Sequence, residues 1–310
     1  VCVLEQHYTA GGFTHSYERE GFEWDVGVHY IGEVHKPHST LRRLFDVISD
    51  GALKWAPMDP VYDRIIIGDR RVDFTAGRGA LADNLIAQFP AEEAAIRRYI
   101  ELIDETAGAA QKFFAGQAMP RWLGRTYQAA RPMLVPKNCF RSVREVLEEL
   151  TQDQELIGVL TGQWGDYGMV PRDASFLMHA TVVKHYFGGG SYPVGGSWMI
   201  PDTIVPVIRA GGGEVFTYAK VEEIVIEQGR ATGVRMANGD ILRADQIVSS
   251  AGARVTYEQL LPVALRESLG YPAKLRQVKT SGAHLCIYAG FKGTAAELGL
   301  PRTNLGIYPN

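Results

Sequence analysis

An α/β fold with mixed α+β character follows from three features of the sequence. Val1–Leu4 is a short apolar run closed by Glu5, the pattern of a buried parallel strand ending in an acid, and the glycine pair Gly11 and Gly12 follows soon after. From Gly195 to Gly252 the pattern runs helix, strand, three short strands, closing strand. Between these stretches lie a strand pair and several helical patterns, so a nucleotide-type domain is built from discontinuous segments around an inserted second domain. The expected division is 1–50 and 190–260 for the first domain, 51–189 and 261–310 for the second.

The elements are justified in order. In a Rossmann unit the acid at the strand end meets the adenosine ribose, roughly 20 residues after a Gly-rich phosphate loop. Glu5 is only the fifth residue, so that loop is expected before Val1, with the chain starting inside its own cofactor domain. Gly11 and Gly12 let backbone approach a ligand closely and can offer amides to phosphate; equally, they can form an ordinary tight turn. Gly21–Gly32, GFEWDVGVHYIG, crowds aromatic, acidic and glycine residues as a chain lining a flat ligand does. Within it His29 and Tyr30 can donate hydrogen bonds to a substrate or satisfy each other as a structural pair, and Asp25 suits a turn or cap.

Val61–Ile67 and Arg70–Thr75, separated by Gly68-Asp69, read as a tight hairpin, and helical patterns run over 79–89 and 91–114, with Ile96, Tyr99, Ile100 and Ile103 on one face. Residues 106–144 contain no acid but seven bases, Lys112, Arg121, Arg125, Arg131, Lys137, Arg141 and Arg144, interleaved with Phe113, Phe114, Trp122, Tyr127, Met133 and Leu134. Such a segment suits peripheral contact with anionic headgroups, or a solvated helix face over a few core aromatics. Ser142 and Glu145 form a capping box before the helix 143–150. His179 and His185 lie six apart on the next helix, which is not the spacing of metal ligands on one helix face. Val221–Glu227, Ala231–Met236 and Asp240–Arg243 read as a meander with a type I′ turn at Asn238-Gly239, followed by a strand over 246–250 running into Ala251-Gly252. Residues 280–291 read as a further apolar strand.

Composition narrows the function classes. With 310 residues, 46% of them hydrophobic, the chain can bury a sizeable core and is long enough for about two domains. A net charge of -3 gives no general attraction to nucleic acid. Cys2, Cys139 and Cys286 are odd in number and far apart, which suggests neither a disulfide framework nor a metal site and fits a reducing, cytoplasmic location. No run of about 18 apolar residues suggests a spanning helix.

Glu5-Gln6 with Gly11-Gly12, Asp25 to Tyr30, Gly162 to Pro171, His185-Tyr186, Tyr192 to Ser197 and Val221 through Ala251-Gly252 together resemble the flavoprotein superfamily of phytoene desaturases, carotenoid isomerases and flavin amine oxidases, and within it the retinol saturase branch. They occur in the family's order over nearly the whole chain. The resemblance implies an FAD-binding domain with a substrate domain inserted in it, and an oxidoreductase acting on carbon-carbon double bonds of a hydrophobic, polyene or isoprenoid-like substrate. It further implies that Glu5 and Gln6 meet the adenosine ribose, Gly11 and Gly12 lie along the pyrophosphate or ribityl chain, the Val221 backbone meets adenine, Ala251 and Gly252 close the nucleotide pocket, and His29 and Tyr30 border the isoalloxazine. His29, Tyr30, His185 and Tyr192 are the candidate proton donors by their chemistry. The electron donor is not implied. The family's Gly-rich loop before Glu5 and a late flavin-covering segment fall outside this sequence, so the fragment alone is expected to retain flavin weakly. Alternatives within the resemblance are a desaturase, isomerase or amine oxidase-like enzyme, or a flavin-free lipid-binding chaperone of the Rab GDP-dissociation-inhibitor type.

Overall fold

A computed structural model describes residues 1–27 and 30–309. The chain forms two compact units: Val1–Val28, Phe45–Leu53 and Gly195–Ser281 make the first, while His29–Leu44, Lys54–Val194 and Gly282–Asn310 make the second. Residues 29–44 thus belong with the inserted unit, because Ile31–Gly32 pairs with Gly190–Pro193. Residues 261–281 belong with the first unit, where Leu261 is buried and shares a cavity wall with Ile224.

In the first unit the strand Cys2–Leu4 runs parallel to Glu214–Phe216, reached through the helix Met199–Ala210 and a glycine turn. Gly213 has no room for a side chain, since a Cβ there would lie 2.7 Å from the Val1 carbonyl oxygen. Contrary to the expectation of a buried strand, Val1 and Val3 are 91% and 37% exposed, because among the described residues this sheet has two strands and little covers it. The three strands Val221–Glu227, Arg230–Met236 and Ile241–Arg243 form the expected antiparallel meander. Its second turn is not type I′, which needs positive φ at both Asn238 and Gly239; only Gly239 is left-handed (φ 91°), with the Gly239 amide on the Met236 carbonyl and the Met236 amide on the Asp240 carbonyl. That is a three-residue loop closed by a glycine bulge. Residues 246–250 form no strand, and Val248 is 94% exposed: a parallel strand exists only through its neighbours, and among the described residues none pairs with it.

The second unit holds the main core. Val61–Ile67 is the middle strand of a mixed sheet, antiparallel to Arg70–Thr75 and parallel to Asn304–Tyr308. Gly68 (φ 56°) occupies the first loop position of the hairpin, where a type II′ turn requires positive φ. A second sheet places Gly190–Pro193 between Ile31–Gly32 and Trp55–Pro57. The helices Arg78–Gln88, Glu93–Gly108 and Phe176–His185 supply Leu85, Ile96, Ile103, Phe176 and Val183 to one continuous core. The Ser142–Glu145 capping box forms as read, and it opens the helix Val143–Leu150. The strand expected over 280–291 is absent, with Leu285 and Ile287 93% and 87% exposed; the returning strand is Asn304–Tyr308 instead, whose residues match the edge of Val61–Ile67.

Candidate functional site

The nucleotide-type features of the first unit gather at the end of its parallel pair. Glu5 follows the strand directly; its amide donates to the Phe216 carbonyl at 2.9 Å, and its own carbonyl accepts from the Ala219 amide at 2.8 Å. Two residues after Ala219 comes Val221, so the fold brings the predicted ribose-binding acid and the predicted adenine-facing backbone together. Val221 lies on an edge strand, where alternate backbone groups point away from the ladder. Glu5 Oε1 accepts from the His7 amide at 2.8 Å, fixing the side chain across the turn, and Gln6 is exposed beside it. The His7 Nδ1 atom is buried without a partner among the described residues, an uncommon state for a ring nitrogen.

The two glycines of the turn differ. At Gly11 (φ 112°) a Cβ would lie 2.7 Å from Pro201, so glycine there permits close packing of the turn against the helix Met199–Ala210. At Gly12 (φ 56°) nothing stands within 4 Å of the Cβ position, leaving exposed backbone that a ligand can approach. Asp25 joins two motifs far apart in the sequence: its Oδ1 accepts from the Ser197 amide (3.1 Å) and hydroxyl (2.7 Å), with Ser197 itself fully buried. Gly252, predicted to close the pocket, lines a cavity of about 530 Å³ with Ile224, Ile226, Ala231, Ile247 and Tyr257; Ala251 precedes it on exposed chain.

In the second unit Tyr30 is 4% exposed and turned into the core. Its hydroxyl donates to Asp63 Oδ2 at 2.5 Å, and burial, then the Asp63 charge, hold the phenol well above the ordinary tyrosine range. Asp63 also accepts from Gln163 Nε2 (2.6 Å) and Asn304 Nδ2 (2.9 Å). Sequence reasoning missed this buried carboxylate; its one signal was an acid at an inward position of a largely apolar strand. His185 Nε2 accepts from the Gly32 amide at 2.7 Å, which puts the ring proton on Nδ1. The Tyr186 hydroxyl donates to the Tyr30 carbonyl at 3.3 Å. Of the four candidate proton donors, Tyr30 and His185 therefore come together around one short segment, Tyr192 lies on the strand Gly190–Pro193 packed against the core, and His29 lies outside the described residues. A cavity of about 510 Å³ in this unit is walled by Ile67, Gly158, Thr161, Trp164 and Tyr308.

The sequence matches the flavin containing amine oxidoreductases over residues 1–306. The chain belongs to that family. It is 37% identical over 321 residues to an all-trans-retinol 13,14-reductase of Danio rerio, covering 100% of this chain and 53% of the relative. To the Homo sapiens protein of the same name it is 34% identical over 320 residues, covering 99% of this chain and 52% of the relative. The chain thus spans about half the length of the curated relatives it matches. An oxidoreductase from Methanosarcina mazei shares the fold, with TM-score 0.64 at 16% identity over 90% of this chain and 60% of that one. The α/β dinucleotide fold expected from the sequence is the fold of this family.

Proposed function

We propose that the full-length protein is an FAD-dependent oxidoreductase that reduces a carbon-carbon double bond in a hydrophobic, polyene or isoprenoid-like substrate. The observation that carries this reading is the unit of strand, Glu5 and glycine turn: an acid at a strand end, an open backbone at Gly12 and an unpartnered nitrogen on His7 fit the ribose and phosphate chemistry of a dinucleotide. When bound, the flavin supplies hydride chemistry, while the protein supplies binding, orientation and exclusion of water. Glu5 would hold the ribose, the backbone at Gly11 and Gly12 the pyrophosphate or ribityl chain, Val221 the adenine, and Ala251-Gly252 the rim of the pocket. In the second unit the bonds on Tyr30 and His185 fix the chain around Tyr30–Gly32 rather than leave either group poised as an acid, so these residues orient. The two relatives named for retinol reduction support the substrate class.

Denaturing the purified full-length protein should release close to one FAD per chain, and Glu5→Ala should lower that occupancy about tenfold, as loss of a charge-assisted hydrogen bond implies. Incubation of the reduced holoenzyme with all-trans-retinol should give a product two mass units heavier. A flavin-free full-length protein would sink the assignment.

Residues 106–144 support peripheral membrane contact as part of this function. The helix Arg121–Leu134 exposes Trp122 (73%) and Met133 (91%) beside Arg121 and Arg125, and exposed Lys137 follows it. Arg131 is used internally, stacked 4.1 Å from the Phe113 ring centroid, and Arg141 and Arg144 pair with Glu149 and Glu148. Among the described residues no helix is long and apolar enough to cross a membrane, so the contact proposed is interfacial. Full-length protein should co-sediment with vesicles containing phosphatidylserine, and the double variant Trp122→Ala with Arg125→Ala should do so several-fold less; equal sedimentation of both would remove this part of the proposal.

A further inference from the structure

Asp63 is 1% exposed, and a carboxylate taken that far from water is costly unless it is paired and hydrogen-bonded. Its partners are three neutral donors from three distant segments: Tyr30 at the entry to the second unit, Gln163 after the helix Gln154–Leu160, and Asn304 at the start of the returning strand. Well-packed apolar residues in place of the whole set would stabilise the core about as well. What the carboxylate adds is direction, because Oδ2 receives two donors and Oδ1 a third.

The segment it directs is held from every side. The Tyr30 ring packs 4.6 Å from that of Tyr186, and a Cβ on Gly190 would lie 2.6 Å from it. Tyr186 donates to the Tyr30 carbonyl, His185 accepts the Gly32 amide, and a Cβ on Gly32 would lie 2.0 Å from the His185 carbonyl oxygen. Asp63 hydrogen-bonds Tyr30 from the central sheet strand, beside the Tyr62 ring 6.2 Å from that of Tyr30, so it ties the segment to the rigid part of the unit.

We propose that Asp63 is a positioning residue of the enzyme, fixing Tyr30–Gly32 by hydrogen-bond geometry rather than by charge. This rests on the functional reading above, in which Tyr30 and His185 orient rather than act as acids. Asparagine at 63 can reproduce the arrangement: its oxygen accepts from Tyr30 and Gln163, and its amide donates to Asn304 once that side chain turns over. Alanine cannot.

The test uses the full-length holoenzyme and the variants Tyr30→Phe, Asp63→Asn and Asp63→Ala. Hydrogen exchange of the peptide covering residues 26–34 should quicken about tenfold in Tyr30→Phe and Asp63→Ala, as loss of a charge-assisted hydrogen bond implies, and stay within about twofold of wild type in Asp63→Asn. The visible circular dichroism of the bound flavin should change in the first two and not in the third, and reoxidation of the reduced flavin by substrate should slow about tenfold with KM unchanged. Should Asp63→Ala fail to fold, Tyr30→Phe decides, since it deletes one hydroxyl and leaves two donors on the carboxylate. Unchanged exchange in Tyr30→Phe, or Asp63→Asn as impaired as Asp63→Ala, overturns the proposal. If the wild type carries no flavin while exchange follows the expected pattern, the positioning role stands and the functional reading falls.

Discussion

Gly12 in the first unit and Gly32 in the second both lack a side chain, but their surroundings are opposite: the first has nothing within 4 Å of its Cβ position, the second has the His185 carbonyl 2.0 Å away. The same contrast runs through the units. The second packs Tyr62, Phe74, Ile96, Leu147 and Phe176 into one core, whereas the first leaves Phe13, Phe216, Tyr218 and Val248 at the surface. One unit is built around that core. The other presents backbone and apolar side chains outward, as a surface that works by being approached.

The comparison can be broken by substitution. Gly32→Ala should cost about 3 kcal/mol or more, because the two nearest atoms it meets, the His185 carbonyl oxygen and carbon, are main chain and backbone must move; Gly12→Ala should cost only about 1–2 kcal/mol, the backbone strain of a left-handed Ala. Urea unfolding of the two variants measures the difference, and similar losses would erase the distinction.

A second test probes the scaffold by pH. Burial pushes the His179 imidazole, held between the Tyr99 and Tyr167 hydroxyls, down to about 3. An unfolded histidine takes up a proton near its ordinary value of about 6.5, so below that pH the unfolded chain binds a proton that the folded one does not. The contribution of His179 is therefore fully present above about pH 6.5 and is lost as the pH falls toward 3, at up to about 1.4 kcal/mol per unit. His179→Gln should flatten the stability curve between pH 6 and 4 by about one proton's slope; an unchanged slope would show that the imidazole is not held neutral.

The smallest effect belongs to the open unit. Val248→Ser, at a position 94% exposed, should change stability by no more than about 0.5 kcal/mol in the same unfolding assay.

What was legible in the sequence was local. The Val61–Thr75 hairpin, the Ser142–Glu145 cap, the meander and the helix pattern of Ile96 to Ile103 each depend on residues a few positions apart, and each forms. Residues 246–250 and 280–291 have strand composition yet form no strand, because a ladder needs a neighbour and apolar alternation does not supply one. The candidate site divides the same way. Glu5 and its glycine turn could be found from spacing, whereas the bonds from Tyr30 to Asp63 and from Ser197 to Asp25 join residues 33 and 172 positions apart. Nothing local announces them.

The parallel pair of the first unit has a consequence for synthesis. Cys2 has Glu214 as its partner, so once made the strand Cys2–Leu4 waits for more than two hundred residues. At about 5–20 residues per second that wait is roughly 10–40 s, during which Cys2–Leu4 lacks the strand Glu214–Phe216. The second unit can close most of its core in that interval, since its sheet needs only Asn304–Tyr308 to arrive later. Nascent chains should thus present a folded second unit while Cys2–Leu4 still waits for Glu214–Phe216, and it is that strand which chaperones would be expected to hold.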